Sequence, residues 1–319
     1  MWTQLLFTFA AKFYNMKIAL LTCSEMPDML PYDMEVIKLL KQKNIESKVL
    51  IWDELTDTDI RNLEIYDIVL VRTIWDYYKK VPKFINFMEL LKASNVKLLN
   101  PIDIINWNMD KKYLQELQNE GFSIIPTIFN YGQTGSFEEA LLKGWNRMIL
   151  KPMISAGSYH TFVLNSADKI SFDELISKHY KNRPFMLQEF IPEISEGEIS
   201  TITLTNPSPN NDEEFSYSVT KIPKTGDYRV QVDYGGMYSI GNVDPQIKKI
   251  SEQITARFEG KLLYQRLDGL WRDGKFLIME IELIEPDLYL NYSKEALNCW
   301  VDNIVSVVNT LSTNDSMSE

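Results

Sequence analysis

Residues 264–286 read YQRLDGLWRDGKFLIMEIELIEP. Two runs, 262–268 and 275–283, flank the turn Arg272-Asp273-Gly274, an arrangement that predicts a β-hairpin. Side chains alternate along a strand, so Glu280 and Glu282 share one face while Met279, Ile281 and Leu283 share the other. The apolar face meets a core and the acidic face meets water or cations. In such a hairpin Asp268 reaches the side of the two glutamates. Three carboxylates there repel one another unless divalent metal sits among them, and hard oxygen ligands in this number suit magnesium completed by phosphate. The same residues also read as a solvated hairpin face, where acidic side chains are common.

Working outward, three further groups carry chemistry. Lys151 ends RMILKP and precedes Ile154-Ser155-Ala156-Gly157-Ser158, small residues whose amides can close over phosphate. Lys112, in Asp110-Lys111-Lys112-Tyr113, starts a helix. Each lysine alone reads equally as a surface residue. The GxxxxGK[ST] pattern is absent, which sets P-loop enzymes aside. Gln188-Glu189-Phe190-Ile191-Pro192 is a strand running into proline, which leaves backbone groups free to read a base edge, and Glu198 follows within reach of ribose hydroxyls. An ordinary strand exit fits that stretch as well. Lys221 and Arg229 are two cations in a β segment ahead of Gly235-Gly236, able to hold anionic phosphate where charge moves; exposed strand-edge charges are the plainer account.

The N-terminal third alternates differently. Runs 17–23, 48–52, 67–71 and 96–99 are rich in Val, Ile and Leu, with helical patterns at 33–43 and 82–93 between them. Buried strands alternating with helices predict an open parallel α/β sheet. Beyond Asn100-Pro101 the texture becomes α+β. A helix is expected at 110–119, strands at 147–151, 160–164 and 185–190, and a helix at 172–180. Strands follow at 199–205, 215–222 and 228–233, then helices at 246–258 and 294–310 and a polar, disordered tail.

Composition narrows the classes. A chain of 319 residues with 45% hydrophobic and 24% charged content suits a soluble protein of one large domain or two to three subdomains. The formal charge of -11 argues against nucleic acid, whose phosphates are bound by clustered Lys and Arg. No stretch of the body has the roughly 18 apolar residues that span a bilayer. Cys23 and Cys299 make no metal spacing and read as reduced thiols of a cytoplasmic protein. The opening MWTQLLFTFAAKFYN resembles a weak signal peptide, but no positive charge precedes its apolar run and Met16 opens a strand. A start-site ambiguity or a mobile extension is the reading taken.

The order of these elements resembles the ATP-grasp superfamily from about residue 100 to 310, and the region before it resembles a pre-ATP-grasp domain. The resemblance implies an extension at 1–15, a pre-ATP-grasp α/β domain at 16–103, a small lobe at 104–192, a large lobe at 193–311 and a tail at 312–319. It implies that Lys112 and Lys151, with Ser155 and Gly157, bind ATP phosphates, that Gln188, Glu189, Phe190 and Ile191 hold adenine, and that Glu198 takes ribose. Lys221, Arg229 and Arg266 would surround the transferred phosphoryl, and Asp268, Glu280 and Glu282 two Mg2+ ions. Many members carry Asn where Glu282 stands, and the extra charge bears on metal preference. In the N-terminal region, Val71-Arg72-Thr73-Ile74-Trp75-Asp76-Tyr77, with Ile51-Trp52-Asp53 and Leu99-Asn100-Pro101, resembles the glutathione-synthetase-like branch. Within it, together with Tyr228-Arg229-Val230-Gln231 and Ile284-Glu285-Pro286, the pattern resembles the O-ureido-serine cyclo-ligase type of cycloserine biosynthesis.

The activity implied is ATP-dependent C–N or cyclic amide-type ligation of an amino-acid-like small molecule through an acyl phosphate. Arg72, Trp75, Asp76, Gln231, Gly235 and Gly236 would meet that substrate, Arg72 as the partner of a carboxylate. For Trp75 and Tyr77, packing at a domain interface is the alternative. A dipeptide ligase of the same fold and a non-catalytic nucleotide-binding regulator are the other readings. Related enzymes often pair through their N-terminal or central regions, so the resemblance extends to a homodimer.

Overall fold

The computed structural model describes residues 16–181, 183–208, 214–230 and 234–316. The extension at 1–15 and Gln231 lie outside them. The chain opens with β1 (Met16–Thr22), α1 (Pro31–Gln42), β2 (Ile45–Ile51), α2 (Asp57–Arg61), β3 (Ile68–Thr73), α3 (Val81–Ala93) and β4 (Leu98–Leu99). The four strands pair in parallel in the order β2-β1-β3-β4. Near-continuous apolar strands are what a sheet covered on both faces requires. Val36 and Leu40 of α1 pack on Ile18, Leu20, Ile68 and Leu70, while Phe84, Phe87 and Leu91 of α3 pack on Ala19, Leu21, Val69 and Val71.

The helix expected at 110–119 forms as α5 (Tyr113–Asn119), and a helix the sequence reading did not place, α4 (Ile102–Met109), precedes it, the two separated by the extended backbone of Asp110 (φ -100°, ψ 119°). Next come β5 (Thr127–Asn130), α6 (Ser136–Leu142), β6 (Arg147–Pro152), β7 (Phe162–Asn165), α7 (Lys169–His179) and β8 (Phe185–Glu189). These strands form an antiparallel sheet, β5-β8-β6-β7, over a core of Phe137, Trp145, Met148, Leu150, Phe172 and Leu187.

The last part comprises β9 (Glu198–Thr205), β10 (Glu214–Ile222), β11 (Met237–Gly241), α8 (Pro245–Arg257), β12 (Tyr264–Arg272), β13 (Lys275–Glu282) and α9 (Lys294–Ser316). Its antiparallel sheet runs β11-β10-β9-β12-β13. The strand expected at 228–233 does not form over its described residues. The Asp227 carboxylate takes the amides of Tyr228 and Arg229 at 2.8 and 3.0 Å, closing a turn instead of a ladder, and β11 starts at Met237. Helix α9 continues past the expected end at 310 to Ser316, into what reads as a polar tail. One core joins the first sheet to the last: Ile18 and Leu20 share a cluster with Ile202, Leu204, Val219, Trp300 and Ile304.

β13 stands at the edge of its sheet, where backbone groups lack a strand partner. Side chains and an extended segment supply the partners. Ser123 and Ile125 pair with Ile278 at 2.8 and 3.0 Å. The Ile281 amide donates to the Tyr113 hydroxyl at 2.9 Å, and its carbonyl accepts from Tyr113 and from the Asn108 amide at 3.0 and 2.7 Å. Asn108 also accepts the Leu283 amide at 2.8 Å, and Asn100 donates to the Leu283 and Tyr264 carbonyls, both at 2.9 Å. Asn108→Ala leaves the buried Leu283 amide without a partner, at a cost of about 1–3 kcal/mol. Urea denaturation is expected to show that loss, with little change for Asn119→Ala, whose side chain is exposed.

Candidate active site

The hairpin quoted at the outset forms, and its register assembles the site. Asp268 stands opposite Glu280 and Arg266 opposite Glu282. A bulge between Asp268 and Gly269 brings the two strands close at the glycine, where a Cβ would stand 2.4 Å from the Leu277 carbonyl oxygen. On the other flank β9 places Ser200 opposite Asp268, and its hydroxyl donates to the carboxylate at 2.5 Å. β10 places Lys221 opposite Glu198.

The carboxylates are held by the chain's own cations. Arg266 pairs with Asp268 at 2.8 Å and with Glu282. Lys221 pairs with Glu198 and lies 4.0 Å from Asp268, and Lys111 pairs with Glu280 at 2.7 Å while donating to the Ser155 carbonyl at 2.6 Å. Burial works against the charge of Lys221, but Asp268 and Glu198 outweigh it and hold its pKa above the ordinary value. Burial likewise opposes ionisation of Asp268, and Arg266 with Lys221 overcomes it, keeping its pKa low. Glu282 goes the other way: burial, with Asp268 and Glu280 beside it, pushes it up to about 8 against the pull of Arg266. Burial lowers half-buried Lys151 to about 8, opposed by Glu280 and assisted by Lys111.

These groups line one cavity of about 580 Å³. At its apolar end Ile125, Ile149, Leu270 and Met279 join Gln188, Glu189, Phe190 and Ile191. That wall is fixed from behind. Gln188 donates to Thr127 at 2.9 Å, Arg272 pairs with Glu189 at 2.8 Å, and the Arg147 guanidinium lies 3.8 Å over the Phe190 ring. The loop Ser155–Ser158 forms another side, with Gly157 and Ser158 at positive φ and Tyr78 of the first sheet against Gly157. A cleft of this size and lining is what a nucleotide and a small molecule need.

Of the residues singled out from sequence, Lys151, Ser155, Gly157, Gln188, Glu189, Phe190, Ile191, Glu198, Lys221, Arg229, Arg266, Asp268, Glu280, Glu282 and Trp75 line this cavity. Others do not. Lys112 is exposed, with its amide bonded to Asp110, and Lys111 turns inward instead because its own amide is tied to the Met153 carbonyl at 2.9 Å. Arg72 is buried: β3 runs two residues past the expected 67–71, so Arg72 falls on the face of Leu70 and pairs with Asp33 at 3.0 Å. Asp76 is buried too, holding the Trp52 indole at 2.8 Å and Lys80 at 2.5 Å. Gly235 and Gly236 lie off the cavity wall, Gly235 against the Lys224 side chain. Glu198 lines the cavity, but its carboxylate is engaged by Lys221.

Side chains of the N-terminal region reach the site by holding residues 285–287, mainly at their backbone carbonyls. Trp75 donates to the Glu285 carbonyl at 2.8 Å, Arg72 lies 3.5 Å from the Pro286 carbonyl, and the Tyr32 hydroxyl donates to Asp287 at 2.7 Å. Tyr264 joins the same clamp through the Ile284 carbonyl at 2.7 Å. The clamped segment brings Glu285, Asp287 and Tyr289 to the cavity, residues to which sequence reading gave no role. Among the described residues no three His, Cys, Asp or Glu side chains are already grouped to hold a metal ion. Arg266 bridges Asp268 and Glu282, and Lys111 holds Glu280. Asp268, Glu280 and Glu282 are hard oxygen donors on facing strand positions, a donor set of the kind a divalent cation takes.

Residues 18–100 match the family described as the D-cycloserine synthetase DcsG N-terminal domain, and residues 133–271 match the prokaryotic glutathione synthetase ATP-grasp domain. The chain has the ATP-grasp fold, and its residues 133–271 are those that match an ATP-grasp domain. It is 29% identical over 102 residues to the cycloserine biosynthesis protein DcsG of Streptomyces lavendulae, covering 31% of this chain and 32% of that one. It is 24% identical over 186 residues to a glutathione synthetase of Prochlorococcus marinus, covering 56% and 55%. The matches thus span about a third and about half of the two curated relatives. In fold, the DcsG crystal structure superposes with a TM-score of 0.76 at 17% identity, covering 92% of this chain and 99% of that one. A D-alanine–D-alanine ligase from Bacillus anthracis complexed with ATP gives 0.67 at 15% identity, covering 96% and 100%.

Two outcomes follow from the lysines. Lys111→Ala is expected to weaken ADP binding about tenfold or more, the loss of a charged donor to phosphate, and Lys112→Ala to leave it unchanged. Titration calorimetry distinguishes them. Lys151 keeps its proton below about pH 8 and loses it above. Magnesium-free ADP, titrated in EDTA, should therefore bind best near pH 7 and weaken towards pH 9, a slope absent from Lys151→Met.

Proposed function

We propose that this chain is an ATP-dependent ligase that phosphorylates a carboxylate or carbamoyl-type group of an amino-acid-like molecule and joins it to nitrogen, releasing ADP and phosphate. The observation that carries the reading is the convergence on one cavity of Asp268, Glu280 and Glu282 with Lys111, Lys151, Lys221 and Arg266. Binding a nucleotide alone requires no such ring of phosphoryl-transfer groups. Cys23 and Cys299 are not joined in a disulfide, in keeping with a cytoplasmic setting. No helix among the described residues is long and apolar enough to cross a membrane.

In this reading adenine lies at the apolar end against Phe190, Ile191 and Met279, with Glu198 on the ribose side. Lys111, in place of its present partners Glu280 and the Ser155 carbonyl, holds the phosphates together with Lys151. Asp268, Glu280 and Glu282 would hold two magnesium ions, which supply charge neutralisation along the transferring phosphoryl group. Lys221, Arg229 and Arg266 gather around that group, in a site from which the loop Ser155–Ser158 and the Tyr228–Val230 segment exclude water. The substrate carboxylate attacks the γ-phosphorus and ADP leaves. The nitrogen then attacks the acyl carbon, loses its proton, and phosphate leaves. The reaction is C–N or cyclic amide-type ligation, as expected of relatives of the two named proteins.

Glu280 is central among the carboxylates. Glu280→Gln keeps its shape and a hydrogen-bond acceptor for Lys111 but removes its charge. ATP-dependent phosphate release, measured against a panel of amino acids and amines, should fall on the order of 100-fold, with the thermal midpoint of the nucleotide-free protein nearly unchanged. Retained release would assign the hairpin face to solvent.

A further inference from the structure

The cavity's carboxylates do not all have counter-ions. Glu189 is paired with Arg272, Glu198 with Lys221, Asp268 and Glu282 with Arg266, and Glu280 with Lys111. Two remain. Glu285 is 8% exposed and lines the cavity, yet its carboxylate meets no hydrogen-bond donor and no Lys or Arg within ion-pair distance among the described residues. Asp287 accepts from the Tyr32 hydroxyl and from the Tyr289 amide, both at 2.7 Å, and these partners are neutral. A carboxylate so far removed from water is costly unless a positive charge or a donor reaches it.

The two sit on the segment that the first sheet clamps by its backbone. Trp75 fixes the Glu285 carbonyl, and Tyr32 fixes the Asp287 carboxylate and the Leu288 amide, the latter at 3.2 Å. Burial and the neighbouring Glu282 hold the Glu285 carboxyl well above the usual carboxylate range, so a cation is needed to draw out its charge, and Trp75 and Tyr78 line the cavity with it. Arg72, the cation that could have supplied a carboxylate site here, is turned into the core. Anionic walls with aromatic rings and no lysine or arginine from the first sheet recognise a cation.

From this charge imbalance we infer that Glu285, with Asp287, forms a subsite for the ammonium group of the acceptor or activated substrate, walled by Trp75 and Tyr78. The inference rests on the ligase reading for the identity of the nucleotide end and adds the charge of the molecule that meets it. The first sheet then sets specificity by holding this anionic segment rather than by supplying an arginine.

Calorimetry on the full chain loaded with AMP-PNP and magnesium tests this without requiring turnover. The probes are alanine and serine, each as both enantiomers, with propionate and 3-hydroxypropionate as their counterparts lacking nitrogen. An amino acid should bind, and its nitrogen-free counterpart about 10- to 100-fold more weakly, the range of a lost charged hydrogen bond. Glu285→Gln should remove most of that preference while the affinity for magnesium–ADP changes less than about twofold. Asp287→Asn keeps the acceptor for Tyr32 and should reduce the preference less, which separates charge from folding. Equal binding of propionate and alanine, or no amino acid binding to the loaded protein, would overturn the subsite. A tenfold loss of magnesium–ADP affinity in Glu285→Gln with the preference intact would make Glu285 a metal ligand instead. Phosphate release is read in parallel. Amine-selective binding without release removes the ligase reading and leaves the ammonium subsite standing.

Discussion

Everything at the site depends on the saturation of the outer edge of β13. That strand carries Glu280 and Glu282, and it is the last of its sheet, so its outward amides and carbonyls have no strand to pair with. Asn100, Asn108 and Tyr113 take them one by one, together with the extended backbone at Ser123 and Ile125. A carboxylate pair on a fraying edge would drift apart under its own repulsion. Fixed on both sides, it has to meet that repulsion with cations. The helices α4 and α5 are therefore part of the catalytic scaffold, although neither supplies a cavity-lining acid.

Charge decides the rest. Seven carboxylates line the cavity, Glu189, Glu198, Asp268, Glu280, Glu282, Glu285 and Asp287, and basic side chains on β10, β12 and the turn before α5 answer most of them. These ion pairs offset the cost of burying the acids. Burial, with Asp268 and Glu280 beside it, raises Glu282 even against its Arg266 partner, so an incoming divalent charge would favour its ionised form.

The periodicity of the sequence made most of the frame legible. Apolar runs located β1 and β3, and alternation located the acidic face of β13, because both depend on local pattern alone. What failed depended on one-residue phase or on partners distant in sequence. Two adjacent lysines, Lys111 and Lys112, look alike until the Met153 carbonyl selects which amide is tied down. Arg72 reads as the partner of a substrate carboxylate because the apolar run ends at Val71, whereas the strand continues through the polar Arg72 and Thr73. Their burial follows from Asp33, thirty-nine residues earlier, and from Thr22 beside Thr73. The short β5 and α6 gave too few turns of pattern to register. Asp227, which caps the turn that replaces a strand at 228–230, acts through a hydrogen bond that hydrophobic alternation does not encode.

The core that joins Ile18 and Leu20 of β1 to Ile202, Leu204, Val219 and Trp300 also bears on how such enzymes diversify. A domain that docks through a polar surface can be exchanged between genes as a cassette. Here the seam is interior: the N-terminal sheet, the catalytic sheet and α9 share one continuous hydrophobic body, and Tyr32 and Trp75 are bonded across it. Recombination at Asn100 would cut that body and leave mismatched halves. A chimera built from this chain therefore has to carry α9 and the 284–289 segment with the N-terminal sheet to keep that body whole.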